Sequence, residues 1–335
     1  MSAVRHPIVE AALGAQGRVP SPLHAAERSW VEKNCYADLW IALLHTLGLE
    51  PRAMLGFTLA VDFEGDQWTF FKPPHGELRA LYGIDVQELS VWRPLLDHAL
   101  EHLAAGKLLA TEADAYWLPD AAGTDYHRQH VKTTIVLAEL DTAAERAGYF
   151  HNAGYFELAG ADFRGLFESG VAAGALPLFC ESIRLDRLRR RGGTELAALA
   201  ETLLREHAAW RPASNPLRRF AARLATDWPG LQRQGLPAYH AWAFATIRQC
   251  GAAFELAALH LDWLAARNRP DLTAAAAAFQ TIATGAKTLI LKAARAVNAA
   301  RPLDADALLE QMALGWDRGF AALDLALAPA SSRAA

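Results

Sequence analysis

The pattern of apolar and polar positions changes character near residue 160 of this 335-residue chain. Before that point, short stretches with β-type alternation are mixed with helical stretches, which is typical of an α+β domain. After it, the chain is rich in Ala and Leu, has helical periodicity and has almost no β pattern. Pro212, Pro229, Pro270 and Pro302 mark breaks between long helical segments, and this arrangement predicts an antiparallel helical bundle.

The clearest single elements lie in the first half. Leu39, Leu43 and Leu47 share one helical face, so we predict a helix over 35–47 that ends at Gly48. β-branched residues on both faces of 131–140 predict an interior strand. The other predicted elements of this half are strands at 57–61, 68–71, 108–118, 148–151 and 155–158, and a helix at 92–105. The predicted helices of the second half cover 194–209, 215–227, 237–267, 271–299 and 304–327.

These patterns predict two domains, an α+β domain over 1–165 and an all-α bundle over 166–335. The net charge of −4 argues against a general nucleic-acid binder, which would be strongly basic. The N-terminus has no apolar signal segment, and the Ala-rich helices are interrupted by charged residues, so we expect neither secretion nor a membrane span. The chain has 3 Cys without paired spacing, which argues against a disulfide framework and favours a reducing cytoplasm.

Cys35 is the cysteine whose position predicts chemistry. Asn34 is a good N-cap residue directly before the apolar helical pattern, so the thiol should lie on the first turn of a helix. The positive end of the helix dipole favours the nucleophilic thiolate there. The Cys35 N–H, with the side chain of Asn34, would supply oxyanion donors or support. The alternative is a buried structural thiol, which is what we expect of Cys180 and Cys250.

A base and an orienting group follow Cys35 in the order seen in papain-like enzymes. His130 precedes the strand at 131–140 and is the predicted general base, and Asn152 would orient its imidazole. These residues follow Cys35 by 95 and 117 residues. For Asn152 the alternative is ordinary turn chemistry, because an Ala-Gly pair follows it.

Further polar residues are candidates for lining this site. They are His127, His151, Glu112, Asp114, Tyr116 and Trp117. His127 is a rival base but is expected to be a solvated loop residue, and His151 should face away from Asn152 along a strand. Asp125, His127, His130 and His151 offer enough ligands for zinc, but they stand on loop and strand rather than on one helix, so we predict no metal and no other cofactor.

A basic segment joins the two predicted domains. Arg187, Arg189, Arg190 and Arg191 stand close together in it. By default such a segment is a solvated linker. Its functional interpretation is a docking patch for an acidic partner protein.

Several sequence stretches carry a resemblance to known families. Residues 34–40, 61–74 and 149–155 resemble a bacterial family known as domain of unknown function 1839, over most of the chain. More distantly, the early Cys35, the Tyr116-Trp117-Leu118-Pro119 segment and the strand led by His130 are similar to the N-terminal domain of the butirosin-biosynthesis acyltransferase family. Thr133 stands where those relatives often have a second His, and Asn152 where they usually have Asp.

The butirosin resemblance implies a papain-like fold and transfer of an acyl group from a carrier-protein thioester to an amine. We therefore predict a thiol acyltransferase in which Cys35 forms an S-acyl intermediate. Its donor would be an acyl or aminoacyl group on the phosphopantetheine arm of an acyl carrier protein, and its acceptor an amine or hydroxyl. A cysteine amidase or peptidase with the same residues, and a catalytically silent binding module, are the alternatives.

Overall fold

A computed structural model describes residues 3–168, 179–267 and 269–328 of the chain. Contacts divide the chain into two compact units. The first comprises residues 1–26, 34–51 and 75–190, and the second comprises residues 27–33, 52–74 and 191–335. The chain therefore passes between the units several times before the helical half begins.

The first unit is built on one antiparallel sheet. The strands of the chain are β1 (Val4–Arg5), β2 (Phe63–Glu64), β3 (Gln67–Trp68), β4 (Asp85–Glu88), β5 (Lys107–Asp114), β6 (Lys132–Asp141), β7 (Arg146–His151), β8 (Gly154–Ala159) and β9 (Cys180–Arg184). The order in the large sheet is β4-β9-β5-β6-β7-β8, with β1 added to the end of β6, and each pairing is antiparallel. β2 and β3 form a separate hairpin in the second unit.

The helices fall in both units. They are α1 (Pro7–Gln16), α2 (Cys35–Thr46), α3 (His75–Tyr82), α4 (Leu95–Ala104), α5 (Ala161–Glu168), α6 (Gly193–Ala209), α7 (Pro216–Gln234), α8 (Leu236–Ala245), α9 (Ile247–Ala265), α10 (Thr273–Asn298) and α11 (Asp306–Leu327). α2 packs on β6, β7 and β8, and buries Leu39, Leu43 and Trp40 there. The α+β class and the helical C-terminal half are thus confirmed.

Several predicted elements differ from the observed ones. The strand predicted at 57–61 is wrong, because 3₁₀ turns cover Pro51–Ala60. The predicted break at Pro229 is also wrong, since this proline lies inside α7. The single helix predicted over 237–267 is interrupted at Thr246, whose backbone leaves the helical region with φ −117° and ψ −80°. The hairpin β7–β8 and the interior strand β6 are confirmed.

The largest departure concerns β9, which falls in a region predicted to be helical. Cys180–Arg184 lies between β4 and β5 and places the buried polar side chains Glu181 and Ser182 inside the sheet. Buried polar residues conceal the apolar alternation by which a strand is recognised. The sheet of the first unit therefore continues past the boundary predicted at residue 165, and its contacts end at Arg190. Residues 169–178 lie outside the described part of the chain.

The helical unit has α9 at its centre, where 16 of the helix residues are buried. α9 packs against α10, and α10 packs against α11. Pro270–Asn298, which includes α10, is long and apolar enough to cross a membrane by length and composition, with a mean hydropathy of 1.2. Its buried residues include Phe279, Ile282 and Leu289, and Phe279 packs on Phe320 of α11, as expected of a core helix in a soluble globular protein.

A close contact inside the second unit gives a stability prediction. The Trp30 ring lies against Gly251 of α9, where a Cβ would come within 2.4 Å of ring carbons. Trp30 is held in place because its N–H donates to Glu255 Oε2 (3.1 Å) and its indole N–H to Ala283 O (3.1 Å). We therefore expect Gly251→Ala to destabilise the protein by about 1–2 kcal/mol through overpacking, measured by urea denaturation.

Gly230→Ala in α7 is the matched control. The nearest atom to its added Cβ is Gln234 Nε2 at 3.9 Å, so no clash arises. Here the higher helix propensity of Ala should stabilise the protein by up to about 1 kcal/mol. Equal effects of the two substitutions would contradict the packing explanation.

Candidate functional site

Cys35 is the first residue of α2 and is partly exposed. Asn34 is the N-cap of the helix, and its side-chain oxygen accepts a hydrogen bond from Ala37 N (2.8 Å). Its backbone oxygen accepts one from Asp38 N (3.0 Å). The prediction of a capped helix beginning at the thiol is confirmed. These capping bonds use the N–H groups of Ala37 and Asp38, so the Cys35 N–H takes no part in the cap.

The Cys35 thiol faces a row of polar residues on the sheet. Its sulfur lies 3.9 Å from the Thr134 hydroxyl of β6. Thr134 is in register with Glu112 of β5, so both side chains are on the face that α2 covers. Glu112 in turn forms an ion pair with Lys132 at 2.7 Å. The thiol therefore lies next to Thr134, one member of a row of polar side chains on β5 and β6.

A second polar group is joined to the same helical turn through Tyr36. The Tyr36 hydroxyl donates to Glu181 Oε2 (2.7 Å), and burial together with this carboxylate raises the pKa of the phenol. His75, the first residue of α3, has its Nε2 2.9 Å from the Tyr36 oxygen and 3.1 Å from Glu181 Oε1. Glu181 is in register with Ala110, which lies two residues from Glu112 on β5 and therefore points to the same face. Glu181 and its two partners thus lie on the face of the sheet that α2 covers.

These contacts fix which nitrogen of the His75 ring donates. The Tyr36 proton points to Glu181, so the Tyr36 oxygen can only accept from His75. Nε2 must therefore carry a hydrogen, and in the neutral ring the lone pair is on Nδ1. The side chain of His75 is 35% exposed. An imidazole held by a carboxylate, with one basic nitrogen left over, is the arrangement that general-base catalysis requires.

The sequence interpretation missed His75, Tyr36 and Glu181. Tyr36 adjoins Cys35, but its partner Glu181 is 145 residues away along the chain. His75 follows two prolines and looks like an ordinary loop residue. The one local signal was an acidic residue, Glu181, in a stretch that proved to be a buried strand.

The predicted base, His130, pairs with a carboxylate and not with the predicted carboxamide of Asn152. Its Nδ1 lies 2.6 Å from Asp114 Oδ2, and its ring stacks on Tyr116 with 4.4 Å between ring centres. Among the described residues, the orienting group is therefore Asp114 and not Asn152. Asp114 is two residues beyond Glu112 on β5, about 7 Å further from Thr134 along the strand. The His130 side chain is 72% exposed.

Asn152 has a backbone role. It lies in the two-residue turn between β7 and β8, where His151 pairs with Gly154, and its φ is +41°. Asn tolerates this left-handed conformation better than most residues. The turn interpretation of Asn152 therefore accounts for the residue, and the described contacts do not bring it to His130.

His151 belongs to a buried network on the opposite face of the sheet. Its Nδ1 donates to Asp120 Oδ2 (2.6 Å), and its Nε2 accepts from the Thr133 hydroxyl (2.7 Å). Tyr149 donates to the other oxygen of Asp120 (2.6 Å). Thr133 and Thr134 are consecutive strand residues and so point to opposite faces. His151 is consequently separated from Cys35 by the sheet. Its bond and that of Tyr149 to Asp120 hold the segment after β5 against β7.

The remaining candidates have structural partners. His127 is a loop residue, but it is not simply solvated, because its Nε2 donates to Asp162 (2.9 Å). Trp117 packs on Gly165 of α5, where a Cβ would meet the ring at 2.3 Å. Arg190 donates to the Leu47 oxygen, and Arg191 pairs with Glu195 of α6. Arg187 and Arg189 are exposed.

The other two cysteines behave as predicted. Cys180 and Cys250 are both buried. Burial raises the pKa of Cys180 to about 11 and raises that of Cys250 further. Across residues 3–168, 179–267 and 269–328, no group of three or more His, Cys, Asp or Glu side chains is arranged to hold a metal ion.

Comparison with known proteins gives a family for nearly the whole chain. A family model described as the DUF1839 N-terminal domain matches residues 19–185, and one described as the DUF1839 C-terminal domain matches residues 193–325. The boundary between these matches agrees with the end of the first unit at Arg190. No curated protein matches the chain.

Proposed function

The chain belongs to the DUF1839 family, and we propose that it is a thiol acyltransferase with Cys35 as nucleophile. The observation that carries this proposal is the environment of Cys35. It is a partly exposed thiol on the first turn of a helix, 3.9 Å from a hydroxyl and beside a polar row, whereas the other two cysteines are buried. The sequence resemblance of Cys35 and of the Tyr116-Trp117-Leu118-Pro119 segment to the butirosin acyltransferase family implies the same chemistry and a papain-like arrangement.

The first half-reaction breaks a thioester. The Cys35 thiolate attacks the acyl carbon, the carrier's C–S bond breaks, and the pantetheine thiolate leaves with the proton that came from Cys35. The exchange of one thiolate for another is nearly balanced in energy, so little leaving-group assistance is needed. The Cys35 N–H at the helix N-terminus is the oxyanion donor available next to the sulfur.

The second half-reaction forms the product. An amine or hydroxyl attacks the S-acyl carbon, a C–N or C–O bond forms, and Cys35 leaves as the thiolate. The acceptor's proton passes to a base. His75 is the favoured base, because Tyr36 joins it to the turn that carries Cys35 and its Nδ1 is available. His130, held by Asp114, is the alternative.

The partner and the location follow from the same proposal. An acyl carrier protein is acidic, and Arg187, Arg189, Arg190 and Arg191 provide basic groups for it close together in sequence. The reaction needs a reduced thiol, which the cytoplasm maintains. An amidase or peptidase would use the same nucleophile with water as acceptor.

Selective alkylation tests the proposal. We expect iodoacetamide at pH 6–7 to label Cys35 in preference to Cys180 and Cys250, because burial keeps the latter two as protonated thiols: a raised pKa means that the thiolate appears only at higher pH. Peptide mass spectrometry gives the site. Equal labelling of all three cysteines, or no labelling of the folded protein, would remove the basis of the proposal and favour a silent binding module.

A further inference from the structure

A cavity of about 160 Å³ lies in the first unit between the N-terminal segment and strands β6 and β8. None of the residues around Cys35 lines it. The lining residues on which the following argument depends are His6, Glu10, Arg18, Glu139, Tyr155 and Glu157. They include both signs of charge, an aromatic ring and a buried imidazole.

The floor of the cavity is shaped by Gly148. This residue is in register with Glu139 on one side and Glu157 on the other, so the two carboxylates flank it on the same face. A Cβ at Gly148 would lie 1.9 Å from the Tyr155 hydroxyl. The missing side chain therefore lets the Tyr155 ring lie flat against the sheet between the two acidic residues.

One side of the cavity suits an anionic group. The Arg18 guanidinium stands 5.1 Å above the centre of the Tyr155 ring and forms an ion pair with Glu157. Its side chain is 52% exposed, and a guanidinium has five N–H donors, so donors remain for a ligand. Stacking on the Tyr155 ring fixes the plane of the Arg18 guanidinium, which favours bidentate binding of a carboxylate.

The other side holds a buried hydrogen-bond acceptor. Glu139 is buried there and pairs through Oε1 with Arg5 and Arg146 (2.9 Å each). The acceptor in question is therefore His6, which is 1% exposed. The Nε2 of His6 donates to Gly106 O (3.0 Å), which leaves Nδ1 as an acceptor. Within the described part of the chain this Nδ1 has no hydrogen-bond partner. Burial lowers the pKa of His6, which keeps the acceptor neutral. A buried acceptor without a donor requires an explanation, and a ligand N–H supplies one.

We propose that this cavity binds a free amino acid, whose carboxylate pairs with Arg18 and whose ammonium group donates to His6 Nδ1. Ion pairs that served only to hold the N-terminal segment against the sheet would require neither the cavity nor a buried His6 Nδ1 without a hydrogen-bond donor. The proposal concerns a site apart from Cys35, and it holds whether or not Cys35 is a nucleophile.

The test is calorimetric titration of the full-length protein with the common L-amino acids, one at a time, and with γ-aminobutyrate. We expect at least one of them to bind with a Kd below about 1 mM. Propionate and propylamine, which each lack one of the two charged groups, should bind at least about tenfold more weakly because half of the charge-assisted bonds are lost. Failure of every amino acid to bind would overturn the proposal.

Arg18→Gln should weaken binding at least about tenfold, because it removes the charge that pairs with the carboxylate. Arg211→Gln is the matched control: Arg211 also stacks on a ring, 5.0 Å from the centre of Phe320, and pairs with Asp324, but it does not line the cavity. Glu157→Gln, which leaves Arg18 in place, serves as a second variant if Arg18→Gln perturbs folding. Unchanged affinity in both cavity variants contradicts the assignment.

Discussion

Cys35→Ala is expected to lower acyl transfer at least about a thousandfold, because a nucleophile that forms the covalent intermediate has no substitute in the site. The protein is incubated with an acyl-pantetheine thioester and an amine, and intact-mass spectrometry follows the acylated enzyme while chromatography follows the amide. Wild-type protein should gain the mass of one acyl group, and the variant should gain none.

Cys250→Ala is the matched control for this experiment. Cys250 is buried in α9, so its loss should cost some stability and leave acylation unchanged. Acylation of the Cys35→Ala variant at Cys180 or Cys250 would show that the nucleophile has been assigned to the wrong residue. Release of free acid in the absence of any amine would favour the amidase or peptidase alternative.

Local sequence signals were sufficient for the elements that carry the nucleophile. Asn34 as N-cap and the spacing of Leu39 and Leu43 depend on neighbours within two turns of helix, and they predicted α2 with nearly its observed bounds. The β7–β8 hairpin was predictable for the same reason, because Asn152 and Gly154 carry the turn. Such signals are independent of the rest of the fold.

The histidines proposed as bases, and their carboxylate partners, could not be predicted in the same way. Whether His130 meets Asp114 or Asn152 depends on the antiparallel register of β5 and β6, in which Asp114 is opposite Lys132. A register is set by pairing along whole strands and is not visible in the residues before one of them. Similarly, His75 has a role only because β9 brings Glu181 to it, and β9 was predicted to belong to a helical domain.

Substitution of His75, the proposed base, is expected to have the second large effect on acyl transfer. His75→Asn should lower the rate of amide formation from the S-acyl enzyme by about 10²–10⁴-fold, because His75 is the proposed base for the acceptor's proton and general-base assistance contributes about that much. The Asn amide extends only as far as Nδ1 of the imidazole, so the contacts of Nε2 with Tyr36 and Glu181 are lost together with the base, and thermal denaturation checks that the fold is retained. The decisive measurement is the single-turnover rate of amide formation from the S-acyl enzyme, followed by chromatography.

His130→Asn is the matched control, since it makes the same change in the other imidazole that has a carboxylate partner. Its ring is largely exposed and is paired with Asp114, which lies beyond Glu112 on β5, so we expect less than about a tenfold loss of that rate. A larger loss in His130→Asn than in His75→Asn would reverse the assignment. That result would require the segment before β6 to bring His130 to the thiol when substrate binds, with Asp114 as its orienting group.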